Sequence, residues 1–223
     1  MSKSMTEEPL AEQIFRALLD RIYLGDLQPG SPVNEAALAA EFEVSRGPVR
    51  EAVRRLQGIQ LITREPYLKA RVTSLDAATA RELFEMRMAL EGVACNLAAT
   101  RMSDEDVQTV MSELDGDRQA RRMADDGSAP RRVFDFHERI VRSCGNQRII
   151  GMLCGDLYHL LRLYRRRSGG RPERKEDAYR EHWQILRAIQ LRDGPLAESL
   201  MRTHIERAAE HLFAHLQPTR KPS

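Results

Sequence analysis

The segment from Val44 to Leu56 constrains the fold of this chain more than any other part of the sequence. Ser45 is a favourable helix N-cap, and Pro48 falls in the first turn, where the missing N–H of proline costs little. The apolar residues then recur at i, i+3, i+4 and i+7, as Val49, Ala52, Val53 and Leu56. This spacing predicts an amphipathic helix. Its opposite face carries three arginines along one ridge, at i, i+4 and i+8: Arg46, Arg50 and Arg54.

Positive charge is concentrated around this helix. The chain has 223 residues, with 35 Lys and Arg against 33 Asp and Glu, so its formal net charge is only +2. Between positions 46 and 71, however, basic residues outnumber the acidic Glu51 and Glu65. A basic ridge suits DNA phosphates and guanine edges. The alternative interpretation is an amphipathic surface helix whose arginines are only solvated.

The neighbouring segments favour a DNA-binding unit. Upstream, the residues from Asn34 to Phe42 predict a short helix that is separated from the arginine-bearing helix by a tight turn. Downstream, two extended runs, Leu61–Pro66 and Lys69–Val72, predict a β-hairpin wing with Lys69 near its tip. In such a unit the second helix enters the major groove, and the wing reaches an adjacent groove or the backbone.

Residues 10–73 closely resemble the winged-helix domain of the GntR family of bacterial repressors. The turn Gly25–Gly30 matches the family pattern G-x-L-x-P-G, Leu38-Ala39 matches its L-A pair, and the segment from Val44 to Ala52 matches V-S-R-x-P-V-R-E-A. The resemblance implies that Ser45 and Arg46 contact DNA at the start of the helix and that Arg50 reaches a base edge or a phosphate. Arg54 on the same ridge and Lys69 on the wing complete the expected DNA contacts.

Length and composition allow two small globular domains. A hydrophobic share of 42% is ordinary for globular cores. No apolar run approaches the roughly 20 residues that a membrane span needs, and the residues after Met1 lack the apolar core of a secretory signal. We therefore expect a cytoplasmic protein with no membrane partner.

Beyond position 74 the periodicity is helical, so the fold class we expect is mainly α: a winged helix-turn-helix with a small β-hairpin wing, followed by an all-α six-helix bundle. The helices are expected at about residues 75–100, 103–124, 130–144, 147–167, 175–192 and 195–216. Over residues 75–215 this part resembles the FCD effector-binding domain of the FadR branch, in its VanR-like subgroup. The matching motifs are Leu83–Glu91, Phe136-His137, Gly145-Asn146, Glu181-His182 and Thr203–Ile205.

Four segments follow from these two resemblances. We expect a flexible N-terminus at residues 1–9 and the DNA-binding domain at 10–73. The effector-binding and dimerisation domain is expected at 74–217, and a flexible tail at 218–223.

The FCD resemblance also implies a divalent-metal site. In many FCD domains the metal is bound by an aspartate, a histidine four residues later and two further histidines. Here the three histidine positions are occupied by His137, His182 and His204, whereas Val133 replaces the aspartate. Three neutral imidazoles that face one another across a bundle make good ligands for zinc, nickel or manganese. The alternative is that they are ordinary hydrogen-bonded structural histidines.

Two further residues are candidates for contacts with the effector. The position of Arg87 faces the bundle interior in the family, and a guanidinium can bind a carboxylate through two hydrogen bonds. The alternative is an intrahelical pair with Glu91 at i+4. Asn146 follows a glycine at a helix break, so it is first a helix-break residue and secondarily a ligand contact.

The function predicted from the sequence is a ligand-responsive transcription regulator, not an enzyme. We expect a homodimer that binds a palindromic double-stranded operator and is released by a small organic acid or a related metabolite. A metal-dependent enzyme built on the same three histidines is the competing class. It lacks an obvious general base and leaves the helix-turn-helix without a purpose. An effector-independent DNA-binding protein is the third class, and it does not account for the large helical domain.

Overall fold

A computed structural model describes residues 8–65, 68–74, 76–123, 135–168 and 172–214, without the side chains of 121–123, 156, 165–168, 172 and 173. The chain divides into two compact units, residues 1–75 and 76–223. Among the described residues, no helix is both long enough and apolar enough to cross a membrane.

The first unit contains three helices and a hairpin. In chain order they are α1 (Leu10–Leu24), α2 (Glu35–Glu41), α3 (Arg46–Gly58), β1 (Ile62–Thr63) and β2 (Arg71–Val72). The four apolar residues predicted for the inner face of α3 are all buried. They pack with the buried stripe of α1 that is formed by Ile14, Leu18 and Ile22. This core presents the opposite face of α3 to solvent.

Turn chemistry sets the ends of these helices. Gly25 ends α1 with a φ of 91°, a left-handed conformation that glycine adopts without a steric penalty. The Asn34 Oδ1 accepts hydrogen bonds from the backbone N–H groups of Ala36 and Ala37, at 3.1 and 3.2 Å, and so caps α2. Ser45 is the N-cap residue of α3, as predicted, although its side chain makes no capping hydrogen bond.

The predicted wing is a short antiparallel hairpin. Ile62 pairs with Val72, and Thr63 pairs with Arg71. The chain before α2 adds a third extended segment, because Val72 N–H donates to the Ser31 carbonyl at 2.9 Å. Pro66 and Tyr67, near the predicted wing tip, lie outside the described residues.

The second unit is built from helices. They are α4 (Ala77–Arg101), α5 (Asp104–Met123), α6 (Phe136–Ser143), α7 (Gln147–Gly151), α8 (Tyr158–Ser168), α9 (Pro172–Gln190) and α10 (Gly194–Phe213). One turn of π-helix, Met152–Asp156, joins α7 to α8.

All six predicted helices of this unit are present. The fourth one, expected at 147–167, is divided by the π turn into α7 and α8. A π turn inserts one extra residue per turn into a helix, which apolar periodicity does not reveal. The fifth begins at Pro172 rather than at position 175, and the part of the third before Asp135 lies outside the described residues.

Close packing of α4 against α10 depends on two glycines. A Cβ added to Gly194 would lie 2.7 Å from Asn96 Oδ1 and 3.1 Å from the Asn96 carbonyl oxygen. A Cβ added to Gly92 would lie 3.0 Å from Arg202 Nε. The backbones of the two helices therefore approach each other closely at Gly194, whereas at Gly92 the added Cβ would meet only the side chains of Arg202 and Glu198.

We predict that Gly194→Ala destabilises the protein by about 1–3 kcal/mol, because the new methyl group meets backbone as well as side-chain atoms. Gly116→Ala is the matched control. Gly116 lies within α5, and an added Cβ there meets nothing within 4 Å. This control is expected to gain about 0.5–1 kcal/mol from higher helix propensity. Urea unfolding followed by circular dichroism measures both changes, and equal effects of the two substitutions would contradict the packing argument.

Candidate functional site

The solvent-facing side of α3 carries the three arginines predicted to contact DNA. Arg46 is exposed, and the side chains of Arg50 and Arg54 are 70% and 74% exposed. Ser45, at the start of the helix, is exposed as well. The first turns of α3 therefore present hydrogen-bond donors on an open surface, as a helix that enters the major groove requires.

Two glutamates hold arginines of this surface. Glu51 accepts two hydrogen bonds from Arg54, at 3.0 and 2.9 Å, and this interaction lowers the pKa of the Glu51 carboxyl. Glu35, at the start of α2, lies 3.9 Å from Arg50 and accepts a hydrogen bond from Arg64. The arginines are thus oriented by acidic neighbours on the surface itself, which the sequence pattern did not reveal.

Lys69 precedes β2 and is exposed, together with its neighbour Leu68, which is 58% exposed. Its predicted contact with DNA remains a prediction, because part of the wing tip lies outside the described residues.

In the second unit the three predicted histidines come together from three helices. His137 is on α6, His182 is on α9 and His204 is on α10, and one ring nitrogen of each lies within 4.8 Å of the others. His204 Nε2 is 3.3 Å from His182 Nε2 and 3.3 Å from His137 Nε2. The ring of His182 stacks on Phe136 with a centroid distance of 3.9 Å. We call these three residues the histidine cluster.

A buried glutamate of α4 contacts the cluster from one side. Glu91 Oε2 lies 2.6 Å from His137 Nδ1, and Glu91 Oε1 accepts a hydrogen bond from Arg87 Nε at 2.7 Å. The side chains of Arg87 and Glu91 are only 1% and 2% exposed. The i, i+4 pair of Arg87 with Glu91, one of the two interpretations of this arginine, is therefore formed.

A second buried glutamate contacts the cluster from α9. Glu181 Oε2 lies 2.6 Å from His204 Nδ1 and accepts a hydrogen bond from Arg174 Nη1 at 2.8 Å, while Arg207 Nη1 donates to Oε1 at 3.0 Å. Burial alone would raise the pKa of Glu181, but these hydrogen bonds outweigh burial and lower it to about 2. Burial lowers the pKa of His204 to about 4, so its ring is neutral at physiological pH.

The donor set of the histidine cluster fits a divalent cation. Two nitrogens bound tetrahedrally to one zinc ion at about 2.0–2.1 Å lie about 3.3–3.4 Å apart, close to the separations of 3.3 Å observed around His204 Nε2. Metal-binding imidazoles ordinarily donate their other ring N–H to a carboxylate or a carbonyl group. Glu91 and Glu181 stand at those positions.

A small cavity of about 10 Å³, room for about one water molecule, lies beside His137. Its polar lining consists of Glu91, His137, Glu138 and Tyr158, and its apolar lining comes from α6, the π turn and α8. Burial raises the pKa of Tyr158 to about 12, so this residue presents a neutral hydroxyl group. A ligand larger than water can therefore enter next to the histidine cluster only if the side chains that line the cavity move.

The other predicted site residues lie away from the lining of this cavity. Arg87 is not among the lining residues. Asn146 is not among them either, and it caps α7, with its Oδ1 accepting from the N–H groups of Arg148 and Ile149. Val133 lies outside the described residues, and Asp135 caps α6. Effector contacts from Arg87 and Asn146 remain predictions.

Sequence reasoning missed Arg174 and the contacts of Glu181 with the cluster. Arg174 and Glu181 are seven residues apart, a spacing that places both on one face of a helix two turns apart. The same spacing occurs on many solvated helix surfaces. Only the burial of Arg174, which is 4% exposed, distinguishes this pair.

Two family models match the chain. Residues 10–68 match the model of bacterial regulatory proteins of the gntR family, and residues 82–207 match the FCD domain. The second match alone covers more than half of the chain.

Curated relatives and solved structures agree with these matches. The chain is 29% identical over 209 residues to a protein of Paenarthrobacter nicotinovorans named "Probable D-xylose utilization operon transcriptional repressor", covering 92% of this chain and 89% of the relative. It is 28% identical over 201 residues to the HTH-type transcriptional repressor GlaR of Escherichia coli, with coverage of 86% and 90%. The solved structure of E. coli McbR/YncC matches 94% of this chain and 100% of its own, with a TM-score of 0.73 and 19% identity, and so supports the fold.

The exposed basic helix and the histidine cluster therefore lie in domains of known type. The winged helix is the DNA-binding part, and the FCD domain is the part that responds to a small-molecule effector. The family matches and the relatives are transcriptional regulators, not enzymes. This chain belongs to the GntR family of bacterial regulatory proteins, with an FCD domain, and is a ligand-responsive DNA-binding transcription regulator.

Proposed function

We propose that this regulator is a homodimeric repressor that binds a palindromic operator and is released from it by a small carboxylate. The cellular location proposed for it is the cytoplasm, where bacterial DNA is accessible. The DNA-binding part of this proposal rests on the exposed arginines of α3. The effector-binding part of this proposal rests on the histidine cluster and the cavity beside it.

The proposed DNA contacts are Ser45, Arg46, Arg50, Arg54 and Lys69. Arg50 is the proposed base reader, because it lies one helical turn into α3 and its only ion pair among the described residues is a long one, at 3.9 Å from Glu35. Arg54 donates two hydrogen bonds to Glu51. To contact DNA it must exchange that carboxylate for a phosphate. Glu51 therefore weakens non-specific binding of Arg54 to DNA.

A homodimer follows from the energetics of recognition. One small winged helix makes too few base contacts for operator specificity, whereas two half-sites related by a two-fold axis add their binding free energies. An operator with this symmetry is palindromic.

We predict that Arg50→Ala weakens operator binding by about 1–3 kcal/mol and relaxes the sequence preference at one position of each half-site. DNA selected by the wild-type protein from a random-sequence library supplies the operator, and fluorescence anisotropy at fixed salt measures the affinity. Arg180→Ala is the matched control, because Arg180 lies on α9 of the other unit and its side chain is 67% exposed. A selected sequence without two-fold symmetry contradicts the dimer proposal. Unchanged affinity and preference in Arg50→Ala contradict the base-reading role.

The histidine cluster is the proposed site of a divalent metal ion, namely zinc, nickel or manganese. Three imidazoles converge there, and two of them have a carboxylate at Nδ1, so their Nε2 atoms are available as ligands. A metal bound by three protein ligands supplies open coordination positions for an oxygen ligand.

The charge balance around the cluster favours an anionic effector. Glu91 is paired with Arg87, and Glu181 is paired with Arg174 and Arg207, so both carboxylates share their negative charge with arginines. The two positive charges of a bound ion would therefore be left without full compensation in a buried site, which is costly. A carboxylate bound at the cluster supplies the missing negative charge. Tyr158 lines the adjoining cavity, where its hydroxyl group is hydrogen-bonded to Glu138.

Relief of repression by a ligand requires that the effector has different affinities for two forms of the protein. The effector must bind the form that is released from DNA more tightly than the form that is bound to the operator. A difference of about 1–3 kcal/mol between the two forms is typical of such coupling.

We predict about one metal ion per chain in protein that is supplied with zinc, nickel or manganese, and loss of that metal in His182→Ala. Elemental analysis scaled to protein concentration measures the content. His211→Ala is the matched control, because His211 lies on α10 outside the cluster. Metal that persists in His182→Ala, or is equally reduced in the control, contradicts the site. Circular dichroism separates loss of metal from loss of folding.

We also predict that a small carboxylate raises the melting temperature of the metal-loaded protein and lowers its operator affinity. Acetate, lactate, oxalate and citrate are the probes, each measured with the metal-loaded wild type and with His182→Ala. The response is expected in the wild type and lost in the variant, because the metal is the proposed anchor of the carboxylate. A response of the same size in His182→Ala would show that the effector does not depend on the metal.

A further inference from the structure

Buried charge in the part of the chain that the structure describes is confined to one place. Six polar or charged residues have buried side chains there: Arg87, Glu91, His137, Arg174, Glu181 and His204. They form two sets of contacts, each of which runs from an arginine through a glutamate to a histidine. We call Arg87–Glu91–His137 the Arg87 relay and Arg174–Glu181–His204 the Arg174 relay.

The two relays are alike in geometry although they come from different helices. The Arg87 relay joins α4 to α6, with contacts of 2.7 and 2.6 Å. The Arg174 relay joins α9 to α10, with contacts of 2.8 and 2.6 Å. Both approach a histidine at Nδ1, and both leave its Nε2 directed at the other histidine, 3.3 Å away. The same order of contacts thus occurs twice, once at His137 and once at His204.

We infer that the two relays fix the position of the ring proton, so that His137 and His204 both carry it on Nδ1 and present Nε2 lone pairs to the same point. Glu91 and Glu181 are then positioning residues of the cluster. The consequence for metal affinity rests on the metal site in the proposed function, whereas the position of the ring proton does not.

The direction of the hydrogen bonds follows from the chemistry of the partners. An ionised carboxylate only accepts hydrogen bonds, so a histidine nitrogen 2.6 Å from it must be the donor. Arg174 Nη2 also lies 3.4 Å from His204 Nδ1, but both groups are donors there, and Nη2 donates to the His204 carbonyl oxygen at 3.3 Å instead. A neutral imidazole with its proton on Nδ1 has its lone pair on Nε2.

This arrangement makes the metal-free cluster receptive to a cation. With both rings protonated at Nδ1 only, the Nε2 atoms of His137 and His204 carry lone pairs that repel each other across 3.3 Å. A shift of one proton from Nδ1 to Nε2 would turn that repulsion into a hydrogen bond, but the shift would break a buried contact with a glutamate. The relays therefore hold the cluster in a state that a positive charge stabilises.

His182 has a different part in the cluster. Its Nε2 is also 3.3 Å from His204 Nε2, and its ring is oriented by stacking on Phe136. Because the relays deny an Nε2 proton to the other two rings, His182 is the ring that donates Nε2–H to His204 in the metal-free protein. Binding of a metal must displace this proton.

The full chain with 15N-labelled histidine, stripped of metal by a chelator, tests where the ring protons lie. Long-range 1H–15N correlation spectra distinguish Nδ1–H from Nε2–H in neutral rings, and single His→Gln variants assign the signals. We expect Nδ1–H for His137 and His204 and Nε2–H for His182. An Nε2–H signal from His137 or His204 would overturn the inference.

Two variants test the effect on metal affinity. Arg87→Met combined with Glu91→Leu removes one relay without leaving an unpaired buried charge, and Glu181→Gln weakens the other. Glu198→Gln is the control, because Glu198 accepts hydrogen bonds from Arg202 and Asn96 outside the cluster.

Competition of zinc with a chromophoric chelator is expected to show a loss of affinity of about 10- to 100-fold in the relay variants and none in the control. Wild-type affinity in both relay variants would overturn the positioning role. If the wild type binds no metal, the proposed metal site fails, while the spectra of the metal-free protein still decide where the ring protons lie.

Discussion

Pairing of each buried glutamate with an arginine is the interaction on which the helical domain depends. Removing an ion from water costs several kcal/mol, so Glu91 or Glu181 alone would not remain buried and ionised. Arg87 and Arg174 each lie within hydrogen-bond distance of one of them and compensate that charge. The histidines then have fixed acceptors at Nδ1, and their Nε2 atoms converge. A hydrophobic replacement of these pairs would be compatible with a stable bundle but not with this cluster.

The packing of the helices makes that pairing possible. Glu91 and Gly92 are consecutive on α4, so the glycine that packs against the Arg202 and Glu198 side chains of α10 lies next to the glutamate that contacts His137. His204 is carried by α10 itself. The close packing of α4 with α10 and the buried charge are therefore adjacent on α4.

The DNA-binding unit uses charge in the opposite way. The arginines on the outer face of α3 are exposed, and solvent weakens their contacts with the exposed Glu51 and the partly buried Glu35. Such pairs orient the arginines at little cost and can be exchanged for phosphates. The same pair of residue types thus serves as a permanent buried contact in one unit and as an exchangeable surface contact in the other.

Much of the fold was predictable from the sequence because it depends on local patterns. The apolar stripe of α3, the short helix α2 and the hairpin after α3 were all predicted, and so were the helices of the second unit. The π turn between α7 and α8 was not, because a single turn is too short for its wider spacing to be distinguished from that of an α-helix in the apolar pattern. The three histidines of the cluster were named from a family resemblance and not from spacing, and their convergence needed the structure.

By itself the sequence determined which residue types were available and which face of each helix was apolar, since these depend on neighbours a few positions apart. Only the tertiary structure decided that Arg87 is paired with Glu91 in the interior, and that Arg174 meets Glu181 beside His204. The physical reason is burial. An arginine next to a glutamate on a helix has the same spacing whether the pair is solvated or enclosed, and only the packing of the other helices around it removes the water.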